Sequence, residues 1–120
     1  MKSITIEKEG LTFEFFCDSH NTRSGFAHDC MLYYGLQRIV CHCYYLNRTW
    51  ERWSYQSVCL KCIDAMIEDR LYNLKVAYME HNGYKRMTRE RLNDYNKSVV
   101  NDRFLKILES VKTDLEKNLY

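Results

Sequence analysis

Proline is absent from the chain and glycine is scarce, occurring only at Gly10, Gly25, Gly35 and Gly83. That excludes a proline- or glycine-rich linker and a glycine-rich phosphate loop, and it leaves the four glycines to mark the joints between elements. No stretch approaches the ~18 consecutive apolar residues of a membrane span. The first ten residues, MKSITIEKEG, alternate polar with apolar side chains and hold no apolar run of the kind a leader peptide needs. The expectation is a cytosolic protein with no membrane partner. Neither sign of charge dominates: 18 Lys and Arg against 16 Asp and Glu leave +2, too little for the total to imply a nucleic-acid partner. A nucleophile elbow and a paired-carboxylate signature are also missing, so no reaction class is indicated. The chain is expected not to be an enzyme and to need no cofactor.

What is present is 120 residues, 46% of them hydrophobic, which suffices for one domain with its own core. From Lys2 to Glu7, Ile4 and Ile6 alternate with polar neighbours, and from Leu11 onward Leu11, Phe13, Phe15 and Cys17 share one face. These two runs predict a hairpin closed near Glu9 and Gly10. A polar loop is expected over DSHNTRSG, residues 18–25, followed by a second pair of strands, FAHDCMLYY and RIVCHCYYL, around Gly35. Their aromatic and β-branched content favours strand over helix. In this pair Phe26, Cys30, Leu32 and Tyr34 fall on one face and Ala27, Met31 and Tyr33 on the other, so both faces need cover. Helices are expected on one; a partner, a second copy of the chain, or simply exposed tyrosine remain open for the other.

The hydrophobic period changes at Thr49, whose hydroxyl can accept from the free N–H groups of a first helical turn, and Glu51 sits near the positive helix start. Leu60, Ile63, Ile67, Leu71, Leu74 and Tyr78 recur at helical spacing, and HNG supplies a left-handed stop at Gly83. Thr88 is placed to cap RERLNDY, and Val100, Phe104, Ile107, Leu108, Val111 and Leu115 trace a further stripe. The phase slips near NKS, so residues 89–117 read as one helix or two, with a break at Asn96 to Ser98 preferred. The fold expected is α+β in a single domain: a four-stranded antiparallel meander in residues 1–48, then a long helix and one or two C-terminal helices in residues 49–120, packed on one face.

Four of the six cysteines form a CxC, Cys41 and Cys43, on a predicted strand and a CxxC, Cys59 and Cys62, on a predicted helix. Zinc needs about four converging soft ligands, and its CxxC pairs usually sit in tight turns. Small buried core thiols account for the pattern as well, because each pair shares one face of its element. No metal is expected, with Cys41, Cys43, Cys59 and Cys62 as the zinc candidates if there is one. A redox CxxC belongs at a helix start, and Cys59 lies more than two turns into its helix.

Two further groups of residues suggest surfaces. If the strands pair as expected, the start of the third and the end of the fourth lie at the same end of the sheet. Arg23, His28, Asn47, Arg48, Trp50 and Trp53 would then gather, either as a binding surface for a protein partner or as an internal clamp tying a loop to the helix start. Lys85, Arg86, Arg89 and Arg91 cluster in YKRMTRER against Glu90 alone, which suits nucleic-acid phosphates or, more simply, a solvated helix start.

The runs NTRSGFAHDCMLYYG and YYLNRTWERWSYQSV resemble a family of small, functionally uncharacterised bacteriophage and prophage proteins. The matching positions are Arg23, Gly25, Phe26, His28, Tyr45, Asn47, Arg48, Thr49, Trp50, Glu51, Tyr55 and Gln56, with Asn-Arg-Thr-Trp-Glu as the most specific motif. The likeness spans roughly residues 11–63, and the segment from Leu71 onward reads as an addition in which function can also reside. The resemblance transfers no catalytic site. It implies a small protein of a mobile element, expressed in a bacterial host. Together with the small size, the aromatic-rich sheet and the absence of a reaction signature, the expectation is a phage accessory protein in the host cytoplasm that binds and inhibits a host protein, such as a CRISPR nuclease, as anti-CRISPR proteins do. A nucleic-acid-binding module and a zinc-stabilised interaction domain are the alternatives.

Overall fold

The alternating N-terminal residues form four antiparallel strands in chain order: β1 (Lys2–Lys8), β2 (Leu11–Thr22), β3 (Gly25–Tyr34) and β4 (Gln37–Tyr45). Three helices follow, α1 (Glu51–Asn82), α2 (Arg89–Val99) and α3 (Arg103–Asn118), giving the expected α+β meander with helices. The structure is a computed structural model; it describes residues 2–23, 25–45 and 51–118, and their side chains except at 22, 26, 43–45, 51–54 and 118. The cap expected at Thr49 lies outside the described residues.

The β1–β2 turn is Glu9 and Gly10, both with positive φ, 50° and 80°. This is the backbone twist that a two-residue hairpin link requires, and glycine takes it without strain. The polar loop expected over residues 18–25 is not there. Instead β2 continues to Thr22, which faces Gly25, with Asp18 opposite Asp29, Ser19 opposite His28 and His20 opposite Ala27. Pairing with β3 satisfies the backbone of this polar segment, while Asp18 and His20 point to solvent; tertiary pairing overrides local polarity.

Alternation then sorts the side chains. Phe13, Phe15 and Cys17 of β2 and Cys30 and Leu32 of β3 are fully buried against Val58, Cys59, Cys62, Ile63 and Met66 of α1 and Leu108 and Val111 of α3. Helix α1 lies over β3 and β4, and α3 lies beside it and reaches β1, where Lys8 pairs with Asp114 at 2.6 Å. Each fully buried Phe or Leu contributes about 1.5–3 kcal/mol of transfer free energy.

At 1.5 Å per residue a helix of 32 residues measures about 48 Å, which matches the 49 Å long axis of the molecule. The C-terminal part of α1 therefore needs cover of its own. Ile67, Leu71, Leu74 and Tyr78 form a second, smaller core with Tyr95, Val99, Leu105 and Met87, and the Tyr95 hydroxyl donates to the Leu71 carbonyl at 2.6 Å.

The helix ends follow the expected chemistry. After Asn82, Gly83 takes φ 68°, and the amides of Gly83 and Tyr84 return to the carbonyls of Glu80 and Met79 at 3.2 and 2.8 Å, closing α1 with two orphan carbonyls satisfied. Thr88 caps α2 by accepting from the Arg91 amide at 3.3 Å. Two helices follow it, but the break falls at Val100 to Asp102, later than the expected Asn96 to Ser98. The second core holds Tyr95 and Val99 within α2, and Asp102 starts α3: its carboxylate accepts the Leu105 amide at 2.9 Å and the Arg70 guanidinium at 2.8 and 3.0 Å.

Candidate functional site

Strand register places chemistry on both faces of the sheet. On the helix-covered face Cys17 stands opposite Cys30, and Cys30 opposite Cys41, so three thiols cross three strands in one row. Helix α1 lays Cys59 and Cys62, one turn apart on the same flank, over that row. The Cys59 sulfur lies 3.2 Å from that of Cys17 and 4.0 Å from that of Cys30, and the three sulfurs all fall within 4.8 Å of one another. Cys62 points its thiol at the Cys30 and Ile39 carbonyls, 3.4 and 3.9 Å away, and also neighbours the thiols of Cys30 and Cys41. Cys17, Cys30, Cys59 and Cys62 have no exposed surface, whereas Cys41 is half-buried.

The packing of thiol against thiol sets their acidities. Cys17 accepts hydrogen bonds from Cys30 and Cys59, which, with the nearby Lys2 ammonium and His28, hold it down at about 4. Cys30 and Cys59 are pushed far up because each donates to Cys17, and Cys62 is pushed up by its bond to Cys30 and by burial. Cys41 rises to about 11, chiefly through burial.

Of the residues singled out as zinc candidates, Cys59 and Cys62 belong to this cluster and Cys41 touches its edge. The side chain of Cys43 lies outside the described residues. Cys17 and Cys30 were not among the candidates, although counting back from the Thr22–Gly25 pair sets them opposite each other. An eight-residue loop in place of that tight link hides the register.

The outward face carries a second row: Phe16 opposite Met31, and Met31 opposite Val40. Tyr33, one pair further along, meets the Phe16 ring edge-on at 5.6 Å and directs its hydroxyl to the Met31 sulfur at 3.8 Å. No described helix covers these side chains, and Val40 is 46% exposed. At the adjoining β3–β4 turn Leu36 stands fully in solvent. Glu14, Asp18 and Asp29 flank the apolar row on the same face, with Glu7 further off opposite Thr12, against Arg38 as the one Lys or Arg among the described side chains there. Asp29 binds His20 Nδ1 at 3.3 Å with one carboxylate oxygen and His42 Nδ1 with the other.

The residues expected to gather around Arg23 are only partly described. Arg23 is exposed at the β2–β3 turn. His28 is buried on the inner face, edge-on to the Tyr55 ring at 5.0 Å, and Tyr55 in turn bonds Ser19 at 3.2 Å. Asn47, Arg48 and Trp50 lie outside the described residues, as does the Trp53 side chain. Gln56 serves the fold, since its amide donates to the Leu115 and Glu116 carbonyls at 3.3 and 2.9 Å and so ties α1 to the last turn of α3.

The basic cluster divides. Arg91 stacks its guanidinium on the Tyr84 ring at 3.8 Å and donates to the Arg86 carbonyl at 3.0 Å, fastening the α1–α2 link. Lys85, Arg86 and Arg89 stay exposed.

No protein family, curated protein or solved structure matches the chain. No described helix is long and apolar enough to cross a membrane.

Proposed function

We propose that this chain is a non-catalytic binding protein that occupies a host protein through the open face of its sheet. The observation that carries the reading is the in-register row of half-buried Phe16 and Met31 and exposed Val40, with half-buried Tyr33 beside it, covered by no described helix and flanked by the carboxylates Glu14, Asp18 and Asp29. An apolar and aromatic centre with a charged rim is the usual make-up of a protein-binding patch. The acidic rim repels a polyanion and suits a partner whose own rim is basic. A nuclease offers such a surface, because the groove that holds its nucleic acid is lined with Lys and Arg. Taken with the resemblance to phage and prophage proteins, this favours an inhibitor of a host defence nuclease, acting as anti-CRISPR proteins do in the host cytoplasm.

Affinity capture from phage-infected host cells, followed by reassembly from purified components, tests the reading. A one-to-one complex is expected that survives charge reversal at Lys85, Arg86 and Arg89. The second reading, a nucleic-acid module, is favoured by the exposure of those three side chains. It predicts salt-sensitive retention of DNA or RNA that the same reversals abolish. Self-association through the apolar row would instead identify the occupant as a second copy.

A further inference from the structure

We infer that Cys17, Cys30, Cys59 and Cys62 form a tetrathiolate site for one soft divalent cation, zinc before others, in the centre of the core. A zinc–sulfur bond of about 2.3 Å in tetrahedral geometry spaces its sulfurs about 3.8 Å apart. The Cys17–Cys59 and Cys30–Cys59 distances of 3.2 and 4.0 Å bracket that spacing before any cation is placed. The three sulfurs arrive from three separate elements, β2, β3 and α1, and close a triangle no wider than 4.8 Å. Cys62 supplies the fourth corner. It shares the flank of α1 with Cys59, already contacts the Cys30 thiol, and its present bonds are weak ones to the Cys30 and Ile39 carbonyls at 3.4 and 3.9 Å. Its sulfur lies outside the triangle of the other three, so coordination requires the Cys62 side chain to turn from those carbonyls toward the cation. Binding displaces the thiol protons to solvent, leaves every sulfur oxidation state unchanged, and sets the resulting negative charge near Lys2 and His28. Cys41 remains outside the set, at the half-buried edge. The role is a clamp joining sheet to helix, and it stands or falls separately from the proposed partner-binding face.

The test is the metal content of the full chain, purified under reducing conditions without chelator and read by native mass spectrometry and elemental analysis. One zinc per chain is expected. Replacement by Co(II) should give the visible absorption of a tetrahedral tetrathiolate centre. Cys41→Ser should keep both stoichiometry and spectrum, while Cys62→Ser should shift the spectrum to that of a three-sulfur site and weaken retention against a chelator at least tenfold. A wild-type chain that folds metal-free, stays metal-free after incubation with zinc and shows only free thiols would overturn the assignment. So would a Cys17–Cys59 disulfide in the native protein, or zinc retained unchanged in Cys62→Ser and Cys59→Ser.

Discussion

Leu32 and Val40 sit on neighbouring strands but on opposite faces of the sheet, and their removal has correspondingly different consequences. Leu32 is fully buried in the main core, so Leu32→Ala is expected to cost about 2–5 kcal/mol in chemical denaturation, since a cavity opens that the surrounding rings cannot fill. Val40→Glu, on the half-exposed side of β4, is expected to change stability by no more than about 0.5 kcal/mol. Gly83 gives a third contrast. A Cβ there meets nothing within 4 Å, so Gly83→Ala should cost only the strain of a positive φ, about 1 kcal/mol, visible as a small loss of thermal midpoint. Much at this scale was legible in the chain: the alternation of Phe13, Phe15 and Cys17, the stop at Gly83 and the cap at Thr88 are local signals. The juxtaposition of Cys17, Cys30 and Cys59 was not, because it depends on register across a turn that polar composition disguises.

Among the elements, α3 is positioned by one side chain with two roles. Asp102 caps its first turn and holds Arg70 of α1 in a two-pronged ion pair, and the guanidinium keeps the Asp102 carboxyl below its ordinary value of 3.8. A carboxyl depressed in the folded state stabilises the fold fully above its unfolded pKa, and that contribution disappears as pH falls through the folded value. The stability of the native chain is therefore expected to drop more steeply below pH 3.8 than that of Asp102→Ala. At neutral pH the variant should already be about 1–2 kcal/mol less stable, having lost the cap and the pair; denaturation followed by circular dichroism across acid pH measures both. The break before α3 falls later than the slip of the apolar stripe near residues 96–98 suggests, because the boundary is decided by Asp102 reaching Arg70, 32 residues away. Strand order and the long first helix, which depend on period and joints, were accessible from the chain; whether one helix or two follows it stayed open, and the partner of each helix end was not accessible.

At the scale of the whole molecule the sheet separates an interior, packed by α1 and α3 around aromatic rings and thiols, from a half-buried apolar row that no described helix covers and that carboxylates flank. This asymmetry is the basis of the binding reading. The sequence anticipated it in outline, since apolar side chains fall on both faces of β3 while the helices cover one. It did not show that Phe16, Met31 and Val40 align across three strands, because alignment again needs register. The most direct test is a calorimetric titration of the captured host protein into four chains: wild type, Met31→Glu, Val40→Glu and the charge-reversed Lys85, Arg86 and Arg89 variant. Binding by wild type and the charge-reversed chain, with at least a tenfold loss for both sheet variants at unchanged fold, is the predicted result. Undiminished binding by Met31→Glu and Val40→Glu, with loss confined to the charge-reversed chain, would contradict it.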